Sequence, residues 1–92
     1  LEDAGRRPVI VLTRAEAIPV LPRVLVAPIT RRIRDIPTEV RLDESDGMED
    51  CVISFDNIRP VSQKLLSEPI ASLAGDRMHE VCRALAIATG CA

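Results

Sequence analysis

The chain has 92 residues, enough for one small domain (residues 1–92) whose modest core would gain from a partner surface. Phe55 is the one aromatic residue, which disfavours a platform that stacks successive bases on a row of aromatic rings. The formal net charge of −2 is unevenly spread: residues 1–41 hold eight arginines against five acids, and residues 42–92 hold four bases against nine acids, so one basic face on a mildly acidic protein is feasible.

The chain begins at Leu1 rather than Met, which suggests that its N-terminus is incomplete. Pro8–Thr13 (PVIVLT) and Val24–Ile29 (VLVAPI) are β-branched runs that predict two strands. Pro19 and Pro22 interrupt the intervening Arg14–Arg23 segment and mark it as a loop. Thr38–Leu42 (TEVRL) alternates as a half-exposed strand does, Asp43–Asp50 is an acidic turn containing Gly47, and Cys51–Phe55 (CVISF) is the next strand. Ile58–Val61 continues it briefly, and Gln63–Ser67 suits one helical turn before Pro69.

From Asp76 onward the period changes. Met78, Val81, Cys82, Leu85 and Ala88 fall at helical spacing, with Ala84, Ala86 and Ile87 widening the stripe, and Gly90 stands where a helix-ending glycine belongs. Strands followed by one closing helix predict an α+β, mainly β domain: a bent antiparallel sheet or small barrel with an amphipathic helix packed on it.

Cys51, Cys82 and Cys91 have no metal-ligand spacing, and Cys51 and Cys82 are expected as small buried hydrophobes. The odd cysteine count and the absence of a signal-like stretch point to a reducing cytoplasm, and no apolar run approaches membrane-spanning length.

If the first two strands form an antiparallel hairpin, the start of one lies beside the end of the other. Arg7 then meets Thr30, with Arg31, Arg32 and Arg34 in the loop that follows, and a simple meander would return Thr38 to the same rim. A guanidinium fork beside a hydroxyl suits a phosphate. The plainer alternative is that Thr30 satisfies turn backbone and the arginines are merely solvated. His79, the sole histidine, is expected on the surface.

At these residues the sequence resembles the MazF/PemK toxins. Gly5–Val11 (GRRPVIV) is similar to that family's G-x-R-P-V-x-V opening, and Val26–Thr30 (VAPIT) to its second strand ending in Thr. Ile36–Val40 (IPTEV) and Cys51–Arg59 (CVISFDNIR) resemble the following two blocks in the same order, and the Arg-rich Thr30–Arg34 segment is similar to the mycobacterial branch. The resemblance implies an SH3-like barrel that dimerises and is neutralised by a cognate antitoxin. It implies sequence-specific cutting of single-stranded RNA without a metal or other cofactor, by attack of a ribose 2′-hydroxyl that leaves 2′,3′-cyclic phosphate and 5′-hydroxyl ends.

Arg7 and Thr30 occupy the family's catalytic positions, and Asp56 and Asn57 the positions that line its RNA groove. Arg6, Arg31, Arg32 and Arg34 are further expected RNA contacts, and Glu2 or Asp3 is a candidate general base. Two departures stand out. Only Leu1–Gly5 remains of the region that carries the family's first strand, so that strand is expected to be missing, and Arg31 stands where many relatives have a second hydroxyl. The competing functions on the same fold are a non-catalytic binding module and a CcdB-like gyrase poison. A gyrase binder needs no guanidinium–hydroxyl clamp for phosphate, whereas the missing strand leaves a catalytically dead RNA-binding or antitoxin-binding module open.

Overall fold

The β-branched runs do form strands, arranged around the long one. The computed structural model describes residues 7–66 and 72–91. Strands β1 (Val9–Val11), β2 (Arg23–Thr30), β3 (Glu39–Leu42), β4 (Cys51–Ser54) and β5 (Arg59–Ser62) precede one helix, α1 (Gly75–Thr89). All strand pairings are antiparallel.

Strand β2 is the spine. Val26 is the register partner of both Val11 on β1 and Arg59 on β5, so those two strands flank it on opposite edges. Beyond Val26, the C-terminal end of β2 pairs with β4 through Ile29↔Ile53 and Thr30↔Val52. The chain can serve both ends of that edge because a 3-10 turn, Phe55–Asn57, redirects it between β4 and β5. The resulting sheet is strongly bent but remains open among the described residues, with β1 and β3 at its ends, so the expected barrel is not closed.

The expected meander is also corrected: β4 lies between β2 and β3. Burial explains the order. Every residue of Cys51–Ser54 is buried, as befits a strand with neighbours on both edges, whereas Glu39–Leu42 alternates and exposes Arg41. An alternating charged strand is the better outer strand, since its exposed charge discourages pairing with other chains. In consequence Arg41, not Thr38, is level with Thr30, through their shared partner Val52. Thr38 lies about 10 Å further along the sheet.

The loop before β2 folds as a short 3-10 turn, Ile18–Val20, with Pro19 in its first positions. The Gln63 side-chain amide donates to the carbonyls of Ile18 and, at 2.6 Å, Leu21, tying this loop to the end of β5. Thr13 extends the β1–β2 pairing, its hydroxyl accepting from the Leu25 N–H at 2.8 Å.

The core lies between the sheet and α1. Ala27, Val40, Leu42, Cys51, Ile53 and Phe55 meet Val81 and Ala84 of the helix, with Leu85 and Ala88 packed at the margin. Phe55, the lone aromatic, is 1% exposed beneath α1. The helix ends at Gly90 (φ 76°), where the N–H of Cys91 reaches the Ala86 carbonyl at 2.7 Å. This is the left-handed cap that the sequence predicted.

The buried stripe of α1 keeps Val81, Ala84, Leu85 and Ala88 of the expected one but not Met78 and Cys82. Met78 is 38% exposed and Cys82 is exposed, so Cys82 is not the core residue anticipated, while Cys51 is buried as expected. Arg77 shares the inward side: its guanidinium reaches Asp46 in the acidic turn, one helical turn before Val81, while positions 78 and 82 face solvent. His79 is exposed, as expected. No helix among the described residues is long and apolar enough to cross a membrane.

Candidate active site

Alternation along β2 sends Ala27 toward α1 and leaves Val26, Pro28 and Thr30 on the other face of the sheet. On that face β1, β2 and β5 enclose a hollow of about 650 Å³. Its apolar floor and walls come from Val9, Val26, Pro28, Ile29, Val61, Leu65 and Leu66, and its polar groups from Arg7, Thr30, Arg31 and Arg59. None of the described residues lining it is acidic, although the whole chain carries 14 acids. Such a local excess of guanidinium groups over an apolar floor favours an anionic ligand with an apolar body.

The hairpin register brings Arg7 and Thr30 together. Val9 is partnered with Pro28, and the Ile29 N–H donates to the Pro8 carbonyl at 3.1 Å. Carried two residues outward, that register sets Arg7 opposite Thr30, and both line the hollow. The Thr30 hydroxyl oxygen accepts the Arg32 N–H at 3.1 Å. It therefore does satisfy the turn, as the plainer reading held. Its oxygen is thereby fixed, and its own hydrogen stays available to a ligand, because a hydroxyl both accepts and donates.

The rest of the arginine-rich loop divides. Arg31 lines the hollow, but its guanidinium is also paired with Glu49 at 2.8 Å in an exposed bridge. Arg32 and Arg34 are exposed and lie outside the hollow; the Arg34 N–H donates to the Glu39 carboxylate at 2.9 Å. Thr38 is not at this rim. Its hydroxyl donates to Asp56 at 2.6 Å, bracing the turn that leads into β5. Asn57 in the same turn donates from its side-chain amide to the Ser54 hydroxyl at 2.9 Å. Asp56 and Asn57 are exposed beside the hollow's β5 wall and do not line it. Glu2, Asp3 and Arg6 lie outside the described residues.

Arg59 is the residue that the motif reading did not single out. It alternates with Val61 on β5, and pairing of β5 with β2 places both on the hollow's wall. The sequence signal was the alternation Arg59-x-Val61, which acquires meaning only once β5 is known to pair with β2 rather than to extend β4.

Hydrogen bonding, ion pairing and burial shift the ionisation of groups in and after the acidic turn. Asp46 ionises more readily than an ordinary carboxyl because Arg77 donates to it, with burial opposing and the Asp43 N–H assisting. Asp43 is lowered by the Ser45 hydroxyl and backbone N–H, and burial pushes the Cys51 thiol up. These groups shape the turn Asp43–Gly47 and the seat of α1.

A bent antiparallel sheet backed by one C-terminal helix, with a guanidinium and a hydroxyl lining a hollow on its open face, defines a small, mainly β domain with a basic cleft. The sequence pattern described as "PemK-like, MazF-like toxin of type II toxin-antitoxin system" matches residues 2–89, and the chain belongs to this family. It is 41% identical to the probable endoribonuclease MazF5 of Mycobacterium tuberculosis over 99% of this chain and 85% of that protein. Among solved structures, the M. tuberculosis toxin MazF-mt6 superposes with a TM-score of 0.87 at 34% identity, covering 91% of this chain and 86% of that one. The MazE–MazF structure from Deinococcus radiodurans superposes with a TM-score of 0.81 at 30% identity, covering 98% and 88% of the two chains.

Proposed function

We propose that this toxin domain is an endoribonuclease that cuts single-stranded RNA at short sequence motifs, with Arg7 and Thr30 as its catalytic pair. The observation that carries this reading is the shared hollow: Arg7 and Thr30 face one another across the β1–β2 hairpin in a cleft lined by three arginines and, among the described residues, no acid. The kinship with a probable endoribonuclease supports the same conclusion.

The chemistry follows from what the residues can supply. The 2′-oxygen of one ribose forms a bond to the adjacent phosphorus while the bond from phosphorus to the 5′-oxygen breaks. The products are a 2′,3′-cyclic phosphate and a 5′-hydroxyl. The nucleophile belongs to the substrate, so the protein has to orient it and to stabilise the charge that grows on the nonbridging oxygens. Arg7 offers a planar fork of donors that matches phosphate oxygens, and it serves as the electrostatic clamp. Thr30, its oxygen held by the Arg32 N–H, donates its hydrogen to a nonbridging oxygen and fixes the in-line geometry. The 2′-hydroxyl proton passes to a carboxylate, for which Glu2 and Asp3, just upstream of Arg7 in sequence, are the candidates, and the leaving 5′-oxygen is protonated from water. No step calls for a metal or another cofactor.

Arg6, Arg31, Arg32, Arg34 and Arg59 hold flanking phosphates, and Asp56 and Asn57 meet the bases that pass the β5 wall. The toxin works in the cytoplasm as a homodimer, cutting mRNA and so arresting translation and growth. Its antitoxin lays an acidic segment over the same arginines and competes with RNA for them. The MazE–MazF assembly of D. radiodurans is the precedent for such a partner.

Cleavage of a long single-stranded RNA in the presence of EDTA tests this reading, comparing the wild-type protein with Arg7→Ala and Thr30→Ala. Specific cutting with 5′-hydroxyl ends by the wild type, lost in Arg7→Ala and strongly reduced in Thr30→Ala, is the expected result. No cutting by the wild type would leave a binding module instead, and inhibition of gyrase would then be the next assay.

A further inference from the structure

A second, smaller hollow of about 300 Å³ opens on the other side of Thr30 and Arg31. Ile29, Thr30 and Arg31 form the partition: all three line the first hollow as well, so a strand whose phosphate sits at Thr30 has a recess on either side. The second recess is built differently from the first. Pro8, Ile29 and Met48 give it an apolar, polarizable lining, and Glu49 adds a carboxylate at its mouth. An acid beside a phosphate track weakens binding of the backbone, so its presence calls for another role. The Glu49 Oε1 is engaged by Arg31 at 2.8 Å, which holds the carboxylate in place while both side chains stay about four-fifths exposed.

We propose that this recess is a nucleobase pocket that sets cleavage specificity, with Glu49 as the reading group and an amino-bearing base beside the cut as its ligand. The proposal rests on the ribonuclease reading and deepens it by naming what selects the cut site. A carboxylate accepts from an exocyclic amino group, as on cytosine, adenine or guanine. Uracil is rejected, because its one ring N–H is flanked on both sides by carbonyl oxygens whose lone pairs face the carboxylate. Arg31, bridged to Glu49, offers a donor to the ring acceptor next to that amino group, so the pair presents acceptor and donor side by side. Met48 and Pro8 supply the packing surface that the missing aromatic rings would otherwise provide. Glu49 thus discriminates between bases and takes no part in bond breaking.

The test is a sequence profile of the 5′-hydroxyl ends from a randomised single-stranded RNA, for the wild type, Glu49→Gln and Met48→Ala. A side-chain amide has the same shape as the carboxylate but can donate to a uracil carbonyl. Glu49→Gln is therefore expected to cut the preference for amino-bearing bases over uracil by about tenfold, at one nucleotide flanking the cut and at no other. Met48→Ala is expected to weaken selection at that same nucleotide without favouring uracil. A uniform drop in cutting at every site, with the motif unchanged in both variants, would overturn the proposal and reduce Glu49 to a brace for Arg31, while the ribonuclease reading would stand. A wild type that cuts RNA with no preference at either flanking nucleotide would likewise overturn the pocket alone. A wild type that cuts no RNA would bring down both.

Discussion

Arg77 on α1 grips Asp46 in the acidic turn with two prongs, Nε to Oδ1 at 3.0 Å and a terminal guanidinium nitrogen to Oδ2 at 3.0 Å. The Asp46 side chain is 5% exposed and that of Arg77 19%, so the pair is largely removed from water. Asp46 also accepts the Asp43 N–H at 3.0 Å, and Arg77 reaches Glu80 at 3.0 Å. One carboxylate therefore caps the turn before β4 and anchors the helix that closes the core.

Removing one partner of such a pair leaves the other buried and unmatched. Asp46→Ala is expected to destabilise the fold by about 2 kcal/mol, below the range for fully buried pairs because Arg77 keeps some contact with water. Urea unfolding of the two proteins checks this. A change under 0.5 kcal/mol would mean that the clasp is incidental to stability.

The same pair sets a pH dependence. Arg77 holds the Asp46 carboxyl below its ordinary value of 3.8, so the folded protein binds that proton less readily than the unfolded chain. The resulting stabilisation is complete above the ordinary value and is lost as the pH falls through the folded one. Unfolding midpoints measured between pH 6 and pH 2 should fall steeply below about pH 4. In Asp46→Asn that fall should be shallower. Equal slopes in both proteins would place the acid sensitivity at other carboxylates.

Thr30 carries two duties, and variants can separate them. Its oxygen accepts the Arg32 N–H, and in the proposed mechanism its hydrogen meets a phosphate oxygen. Thr30→Ser keeps both and is expected to retain cleavage within about tenfold, whereas Thr30→Val keeps the shape, loses both and should fall by about a hundredfold. Circular dichroism and the melting temperature establish that Thr30→Val is folded. Wild-type rates in Thr30→Val would remove the hydroxyl from the mechanism and leave Arg7 as the sole clamp.

Much of this architecture was written in periodicity. The runs PVIVLT, VLVAPI, TEVRL and CVISF become strands within a residue or two, although β1 keeps only Val9–Val11 as ladder. The helix closes at Gly90 because only that residue readily takes φ 76° there. Strand order was not legible, since it is settled by which strand can afford burial on both edges, a comparison between β3 and β4 that no local window contains. The Arg7–Thr30 juxtaposition survived that change because it depends on the first hairpin alone. Thr38 did not survive it, because its placement presumed that β2 and β3 were neighbours. The helix face is right at Val81, Ala84, Leu85 and Ala88 and wrong at Met78 and Cys82, because a hydrophobic stripe has no place for the inward-reaching Arg77 and its partner Asp46.

Gly90 gives a clean measure of backbone cost. A Cβ built there meets nothing within 4 Å, so any penalty comes from the positive φ and none from crowding. Gly90→Ala is expected to cost about 1 kcal/mol, through strain in the left-handed region. A larger loss in chemical denaturation would show that α1 needs this cap to hold its packing, while no loss would show that the helix end frays without consequence.

Arg59 distinguishes a wall residue that touches the RNA backbone from one that only borders the cleft. It stands on β5 across from Val26, four residues along β2 from Thr30, or about 13 Å, so a phosphate at Arg59 is a different one from the phosphate at Thr30. Each phosphate neutralised on a single strand contributes about −0.7 to the slope of log affinity against log salt. Binding of a non-cleavable oligonucleotide, carrying a 2′-deoxy sugar at the cut, should show a slope near −4 if Arg7 and the five flanking arginines each neutralise one phosphate. Arg59→Ala should then flatten the slope by about 0.7 and weaken binding alike on cut-site and scrambled sequences, because a backbone contact carries no base information. If Arg59→Ala instead weakens only the cognate sequence and leaves the slope intact, the residue reads a base edge, and the phosphate track must leave the hollow on the Arg31 side.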